Sequence, residues 1–179
     1  MTEKQKKRYH KNFKWHMDLY RTVNKYADDI LNSDNFQNTR NFIQHGSITV
    51  HTHCIDVAQK SLILSKALRA KVNEKEMIRG ALLHDYFLYD WHDKEREDYQ
   101  SLHGFYHPGI ALANANRDFD LTVREQDIIK KHMWPLTITR IPMYKESWIV
   151  TCADKYVSLM ETLKIKRGNA RNRIGKRGK

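Results

Sequence analysis

The helical spacing of the large side chains is the feature that most constrains the fold. In residues 3–31 this period of three to four positions places Tyr9, Phe13, His16, Met17, Tyr20, Val23 and Tyr26 along one stripe. The same period returns after residue 47, where one face carries Val50, Cys54, Val57, Ser61, Leu64 and Leu68. Only three prolines and seven glycines punctuate the chain, too few for a many-stranded β-fold. The sequence predicts an all-α single domain of six or seven helices without strands.

Local capping signals place the helix boundaries in the first half of the chain. A short helix is expected over 35–43. Ser47 is predicted to cap the long helix that reaches Arg69. Asn73, followed three positions later by Glu76, resembles a capping box that opens the segment EKEMIRGALLHDYF.

The second half of the chain carries similar signals. Thr122 and Glu125 form another capping box, whose helix ends at the sequence His-Met-Trp-Pro. Pro108 suits the first turn of a helix, because proline lacks the N–H group that this turn does not need. Pro142 precedes a last helix over about 143–164.

Thiol content and hydropathy indicate a cytoplasmic protein. The two cysteines, Cys54 and Cys152, cannot form a disulfide framework and are expected to be reduced and buried. No apolar run approaches the roughly 20 residues that cross a bilayer. The N-terminal sequence MTEKQKKRYHKNFKWH has no apolar core region, so it does not resemble a signal peptide.

The net charge of +11 is concentrated at the two ends of the chain. The C-terminal run from residue 164 contains lysines and arginines but no acidic residue. Such a run is usually a solvated tail, and it can also bind nucleic acid or another polyanion. The sequence predicts three segments: a helical segment over 1–44 that packs on the core, a central domain over 45–165 and a basic disordered tail over 166–179.

The pair His84-Asp85 is the most informative chemical feature, because it ends the apolar run Ala81-Leu82-Leu83. A helix that is apolar nearly all round is buried. A buried carboxylate is costly unless it is paired or holds a metal ion. Imidazole nitrogen beside carboxylate oxygen suits a divalent first-row metal. Alone, the pair is equally compatible with a polar helix end that forms local hydrogen bonds.

Two histidines on the preceding helix are candidate partners for this pair. His51 and His53 lie two positions apart, and such a step turns about 200° around a helix, so both cannot face one site. His53 fits better, since it lies one turn before Val57, but periodicity alone leaves the choice open. Either histidine is also compatible with an ordinary core or surface position.

Three further residues are candidates for the same site. Asp154 follows an apolar stretch and needs a cation partner, either Lys155 or a metal ion. His107 directly precedes Pro108, and because the residue before a proline favours extended backbone, His107 is expected at a helix start facing a cleft. His132 ends a helix, where a histidine can alternatively interact with the helix dipole.

Taken in order, these residues resemble the HD superfamily of metal-dependent phosphohydrolases. The resemblance covers roughly residues 45–165 and consists of His53-x-x-x-Val-Ala, Leu-Leu-His84-Asp85, His107-Pro, Ile-x-x-x-His132 and Ala-Asp154-Lys155. Each motif is short, but their order agrees with helices predicted independently of the family. The stretches HDYFLYDWH and KHMWPLT also resemble a poorly characterised bacterial subgroup of HD proteins.

The resemblance implies an all-α fold and hydrolysis of a phosphoester by a metal-bound hydroxide. The substrate would be a nucleotide or a related phosphorylated compound. The implied ligands of a first divalent ion are His53, His84, Asp85 and Asp154, and those of a second ion are Asp85 as a bridge, His107 and His132. Nitrogen and oxygen donors suit manganese, iron, nickel, cobalt or zinc. Asp85 and Lys155 are the predicted catalytic residues, although a salt bridge elsewhere is the slightly more ordinary role for Lys155.

Some positions depart from well-known branches of the family. Leu88 stands where many phosphodiesterase relatives carry a substrate-binding lysine, three residues after the aspartate of the HD pair. The Glu-Asp pair of the alarmone hydrolases is also absent after that motif. Both departures disfavour cyclic dinucleotides and alarmones as substrates.

Several weaker candidates and rival functions remain open from the sequence. The other possible substrate-binding cations are Arg40, Arg124 and Lys131. Two tryptophans, Trp91 and Trp134, could stack on a nucleobase, although packing in the core is the more ordinary role for a tryptophan. The segment 87–104 lacks periodicity and is expected to be a functional loop. The rivals are a mononuclear phosphomonoesterase, a nucleic-acid-binding module acting through the basic ends, and a silent scaffold. A homo-oligomer is compatible with the N-terminal aromatic stripe.

Overall fold

The computed structural model describes residues 2–90 and 103–175, apart from the side chains of 4–14, 16, 103 and 164–175. Its elements are α1 (Glu3–Leu31), α2 (Asp34–Asn38), a 3₁₀ turn (Thr39–Asn41), β1 (Ile43–His45), β2 (Ile48–Thr49), α3 (Val50–Ala67), α4 (Glu74–Leu83), α5 (His103–Asp118), α6 (Val123–Lys131) and α7 (Lys145–Gly175). The predicted all-α class is confirmed. None of the helices in the described ranges has the length and apolar content that crossing a bilayer requires.

Helix α3 lies at the centre of the molecule, between α4 and α7, and α6 packs against α4, α5 and α7. Most of the fully buried core residues come from these helices and from α1, among them Ile30, Val57, Leu62, Met77, Leu82, Ile128 and Val150. Helices α4 and α6 approach closely at Gly80, where an added Cβ would lie 2.6 Å from Cδ1 of Ile128 and 2.9 Å from its Cβ. Glycine therefore lets α4 and α6 run close together toward their C-terminal ends.

The capping predictions are confirmed in part. Thr122 and Glu125 form the reciprocal box at the start of α6, with Thr122 N–H donating to Glu125 at 2.8 Å. Asn73 caps α4 by accepting from Glu76 N–H, but its own N–H donates to Glu146 on α7. The interhelical bond replaces the second half of the predicted box, and it fixes the start of α4 against α7.

Several predicted boundaries were wrong. The cap of α3 is Thr49, whose side chain accepts from Thr52 N–H, and Ser47 lies in the turn of an unpredicted antiparallel hairpin. The hairpin pairs Ile43 with Thr49, and such a short strand has no periodicity to reveal it. The predicted helix over 35–43 is a single short turn, α2, followed by the 3₁₀ turn.

The last helices also differ from expectation. Helix α5 begins at His103, so Pro108 lies inside it rather than in its first turn. Helix α7 begins at Lys145 and continues to Gly175, beyond the expected end near residue 164 and into the segment assigned to a basic tail. The second half of α1 buries Leu19, Val23, Ala27 and Ile30, and α1 contacts α3 and α4. The division into 1–44, 45–165 and 166–179 stays a prediction.

Candidate metal centre

The structure brings all six predicted ligand residues together in one buried cluster. They are His53 on α3, His84 and Asp85 at the end of α4, His107 on α5, His132 at the end of α6 and Asp154 on α7. None of the six is more than 5% exposed. Five helices therefore converge on one point, which none of them could define alone.

Asp85 occupies the centre of this cluster. Its Oδ2 lies 3.3 Å from Nε2 of His84 and 3.6 Å from Nε2 of His53. Its Oδ1 lies 3.1 Å from Nε2 of His107 and 3.4 Å from Nε2 of His132. Each carboxylate oxygen thus faces a different pair of histidines.

Asp154 completes the half of the cluster that contains His53 and His84. Its Oδ1 lies 3.3 Å from Nε2 of His53 and 3.8 Å from Nε2 of His84. The ligand atoms of these three residues all lie within 4.8 Å of one another, and so do those of His84, Asp85 and His132. Both groups have donor atoms close enough to hold a metal ion.

The remaining ring nitrogen of each histidine sets its orientation. Nδ1 of His84 lies 2.7 Å from the carbonyl oxygen of Ala81, and Nδ1 of His132 lies 2.8 Å from that of Ile129. These carbonyls belong to the last turns of α4 and α6, where helix carbonyls lack intrahelical partners. Because a proton on Nδ1 satisfies each carbonyl, the Nε2 lone pair of each ring is directed into the cluster.

Several buried atoms of the cluster form no hydrogen bond within the described part of the chain: Nε2 of His53, Nε2 of His84 and Oδ1 of Asp85. A buried polar atom without a partner costs about 1–3 kcal/mol. These three atoms are also the ones with ligand chemistry in the centre of the cluster. Divalent cations in the two halves of the cluster would satisfy these atoms, so the residues present fit metal binding.

The pKa values of the cluster reflect strong attraction between its charges. Burial opposes protonation of His53, but the neighbouring carboxylates of Asp154 and Glu161 outweigh it and raise the pKa of His53 to about 10. Burial alone would raise the pKa of the Asp85 and Asp154 carboxyls, yet the adjacent histidines hold both well below their usual range. Burial lowers the pKa of His132 to about 4. Both carboxylates therefore stay ionised inside the cluster, where they pair with the surrounding histidines.

Lys155, the predicted catalytic cation, lies at the rim of the cluster. Its Nζ is 2.8 Å from Oδ2 of Asp154 and 3.2 Å from the carbonyl oxygen of His132. The side chain is 43% exposed, in contrast to the buried cluster. The salt bridge expected as its ordinary role is therefore formed, but with the neighbouring cluster residue.

Two residues of the site escaped the sequence analysis. Glu161 accepts a hydrogen bond from Nδ1 of His53 at 3.1 Å, and Gln44 donates from Nε2 to Oδ2 of Asp85 at 2.7 Å. Glu161 lies seven residues after Asp154, two helical turns along the same face, so helical spacing could have identified it. Gln44 lies on the unpredicted hairpin and carried no such signal.

Other candidates lie away from the cluster. His51 packs against Phe36, with ring centroids 5.2 Å apart, so His53 is the histidine of α3 that reaches the cluster. Trp134 packs against Trp148 at 4.8 Å, and Trp91 lies outside the described residues. The structure places the three other candidate cations elsewhere: Arg40 bonds Gln37, Arg124 pairs with Glu76 and Glu146, and Lys131 pairs with Asp127.

Three further sequence expectations have mixed outcomes. Cys54 is buried, but Cys152 is exposed, so the prediction of two buried thiols was wrong for Cys152. His107 lies within helix α5, so the expectation of extended backbone before Pro108 was also wrong. The functional loop expected over 87–104 falls mostly on residues 91–102, outside the described residues.

Comparison with protein families, with curated protein sequences and with solved structures found no match to this chain. The geometry itself is compatible with an HD-like fold, since a helical domain holds a buried histidine–aspartate cluster that could bind metal.

Proposed function

We propose that the protein is a metal-dependent phosphohydrolase of the HD type, acting on a nucleotide or a related phosphorylated compound. The observation that carries this proposal is the placement of Asp85, whose two oxygens face two different pairs of histidines. A carboxylate placed in this way suits a bridge between two ions, and paired divalent ions are suited to phosphoester hydrolysis.

The residues divide naturally between two ions. His53, His84 and Asp154 would hold the first ion together with Oδ2 of Asp85. His107 and His132 would hold the second ion together with Oδ1 of Asp85. The donors are nitrogen and oxygen only, which suits manganese, iron, nickel, cobalt or zinc equally well.

The bound metal would acidify a water molecule and stabilise charge on the phosphoryl oxygens. The chain supplies the rest of the chemistry. Asp85 joins the two halves of the site, because each of its oxygens faces one half. Burial of the cluster strengthens the electrostatic interactions between its side chains. Lys155, half-exposed at the rim, offers a cation to a phosphoryl oxygen of the substrate.

Elemental analysis of the purified protein beside His107→Ala tests the proposal. We expect about two transition-metal ions per chain in the wild type and one in the variant, and Asp85→Ala should lose both. Hydrolysis of bis(4-nitrophenyl) phosphate should follow the metal content. A metal-free wild type after reconstitution with manganese or iron would contradict the proposal.

A mononuclear phosphomonoesterase is the second candidate, and one contact favours it. Nε2 of His107 lies 2.8 Å from Nε2 of His132, so these two nitrogens can share a proton without an ion between them. Within the described residues, in contrast, Nε2 of His53 and Nε2 of His84 have no hydrogen-bond partner. One ion in both the wild type and His107→Ala, with turnover of 4-nitrophenyl phosphate alone, would favour this alternative. Nucleic-acid binding through the basic ends, self-association and a cytoplasmic location stay predictions.

A further inference from the structure

Strand β1 inserts a polar residue into the metal cluster. Of its three residues, Gln44 is the buried one, at 9% exposure, while Ile43 and His45 on either side are only half-buried. A short strand against a helical core would ordinarily turn its apolar side chains inward. Here the amide side chain of Gln44 is buried and the apolar Ile43 is only half-buried. This arrangement does not improve the packing of the core.

The inserted amide contacts the central carboxylate of the cluster. Nε2 of Gln44 donates to Oδ2 of Asp85 at 2.7 Å. That oxygen is the one facing His53 and His84. A carboxylate oxygen has two lone pairs, so Asp85 Oδ2 can accept from Gln44 and still bind an ion.

The other end of the amide is buried without a hydrogen bond in the described part of the chain. Oε1 of Gln44 is among the buried atoms that have no partner. An unpaired buried acceptor costs about 1–3 kcal/mol. An apolar residue of similar size would avoid this cost, so stability alone does not account for a glutamine at this position.

The hairpin connects Gln44 to the start of α3, and Gln44 lies at the irregularity between the two paired residues of β1, Ile43 and His45. Its second strand leads directly into α3, and Thr49 both pairs with Ile43 and caps the helix. His53 lies in the first turn of the same helix. The strand that carries Gln44 and the helix that carries His53 are therefore parts of one hydrogen-bonded unit.

We infer that Gln44 is a positioning residue that orients Asp85 for metal binding. Its N–H group holds Oδ2 so that the carboxylate plane directs one oxygen to each half of the cluster. This inference rests on the proposed metal function. Partners of this kind, which hold a ligand side chain from behind, typically contribute 10- to 100-fold to metal affinity.

The test replaces the amide with an apolar side chain of similar length. Gln44→Met should bind Co²⁺ about 10- to 100-fold more weakly than the wild type in a visible-absorption titration. Gln59→Met is the matched control, since Gln59 is a half-buried residue further along α3 and lies outside the cluster. The control should bind Co²⁺ as the wild type does.

The Co²⁺ spectrum separates positioning from a purely structural role. With saturating Co²⁺, Gln44→Met should show altered d–d absorption, because a released Asp85 carboxylate changes the coordination of the ion. An unchanged spectrum and affinity in Gln44→Met would overturn the inference and leave the proposed function standing. A lower melting temperature of the metal-free variant with an unchanged Co²⁺ spectrum would also overturn it. Failure of the wild type to bind Co²⁺ would overturn both.

Discussion

The groups that orient the histidines of the cluster differ from one histidine to the next. Backbone carbonyls orient His84 and His132, but His53 depends on a side chain, the carboxylate of Glu161. Glu161 is 4% exposed and lies on the same helix as Asp154. One helix therefore contributes both a candidate metal ligand, Asp154, and the group that orients another candidate ligand, His53.

Removal of Glu161 should weaken metal binding without removing a ligand. Glu161→Ala should lower the affinity for Zn²⁺ about 10- to 100-fold, because the His53 ring loses the acceptor that fixes its orientation. Glu161→Gln keeps an acceptor oxygen and should lose less. Competition with a chromophoric chelator measures the Zn²⁺ affinity of both variants. Glu74→Ala on α4 is a control that is distant in sequence. Equal affinity in Glu161→Ala and the wild type would show that His53 needs no such support.

At the scale of the secondary-structure elements, the site depends on where the C-terminal ends of helices α4 and α6 lie. Both helices run toward the cluster and present a histidine at their C-terminal ends, His84 and His132. They approach closely at Gly80 and Ile128. The distance between the two histidines, whose ring centroids are 4.8 Å apart, therefore depends on this packing.

Gly80→Ala should destabilise the protein by about 1–3 kcal/mol, because the new methyl group would overlap Ile128. Rotation of the isoleucine cannot relieve the clash, since its Cβ also lies within 2.9 Å of the added atom. Gly109→Ala on α5 is the matched control, where an added Cβ meets no atom within 4 Å and should stabilise by up to about 1 kcal/mol. Urea unfolding measures the stability of both variants. Equal changes in stability for Gly80→Ala and Gly109→Ala would contradict the close packing of α4 and α6.

The cap of α6 gives a second prediction at the scale of the element. Thr122→Ala removes the acceptor for Glu125 N–H and should cost about 1 kcal/mol of unfolding free energy. Thr122→Ser retains the hydroxyl and should restore most of the loss. Chemical denaturation measures the free energy of unfolding of the wild type and of the two variants. A serine variant as unstable as the alanine variant would argue against the cap.

At the scale of the whole molecule, Asp118 ties the segments that surround the site. It accepts hydrogen bonds from Asn35 of α2 and from the Tyr86 hydroxyl, both at 2.9 Å, and it pairs with Arg117. Tyr86 directly follows Asp85, so this network holds the chain just beyond the central ligand. The hydrogen bond from Arg117 is the largest cause that lowers the pKa of Asp118, to about 2.

This lowered pKa predicts a pH-dependent contribution to stability. An aspartate in the unfolded chain has a pKa of about 3.9. The contribution of Asp118 is therefore fully present above about pH 4 and is lost as the pH falls toward 2. Asp118→Asn should cost roughly 1–2 kcal/mol at pH 7 and less at pH 3. Urea unfolding at pH 7 and pH 3 measures the difference in stability between the wild type and Asp118→Asn, with Asp120→Asn as the control. A difference that is the same at both pH values would contradict the prediction.

Much of the fold could be predicted because its signals are local. The helical period of the large side chains and the capping box of Thr122 and Glu125 involve residues only three or four positions apart. The five ligand positions around His84 were predicted from short ordered motifs and a family resemblance, and the structure places all six side chains together. Local sequence thus determined which helices form and which residues carry ligand chemistry.

Tertiary structure decided what depends on distant contacts. Helical periodicity left His51 and His53 as alternatives, and the packing of α3 places His51 against Phe36 and His53 in the cluster. The hairpin that carries Gln44 is too short for periodicity, and its pairing is stabilised by the core beneath it. The hydrogen bond between Glu161 and His53 joins residues 108 positions apart. Sequence spacing determines neighbours along one helix, but contacts between elements exist only once the helices have packed.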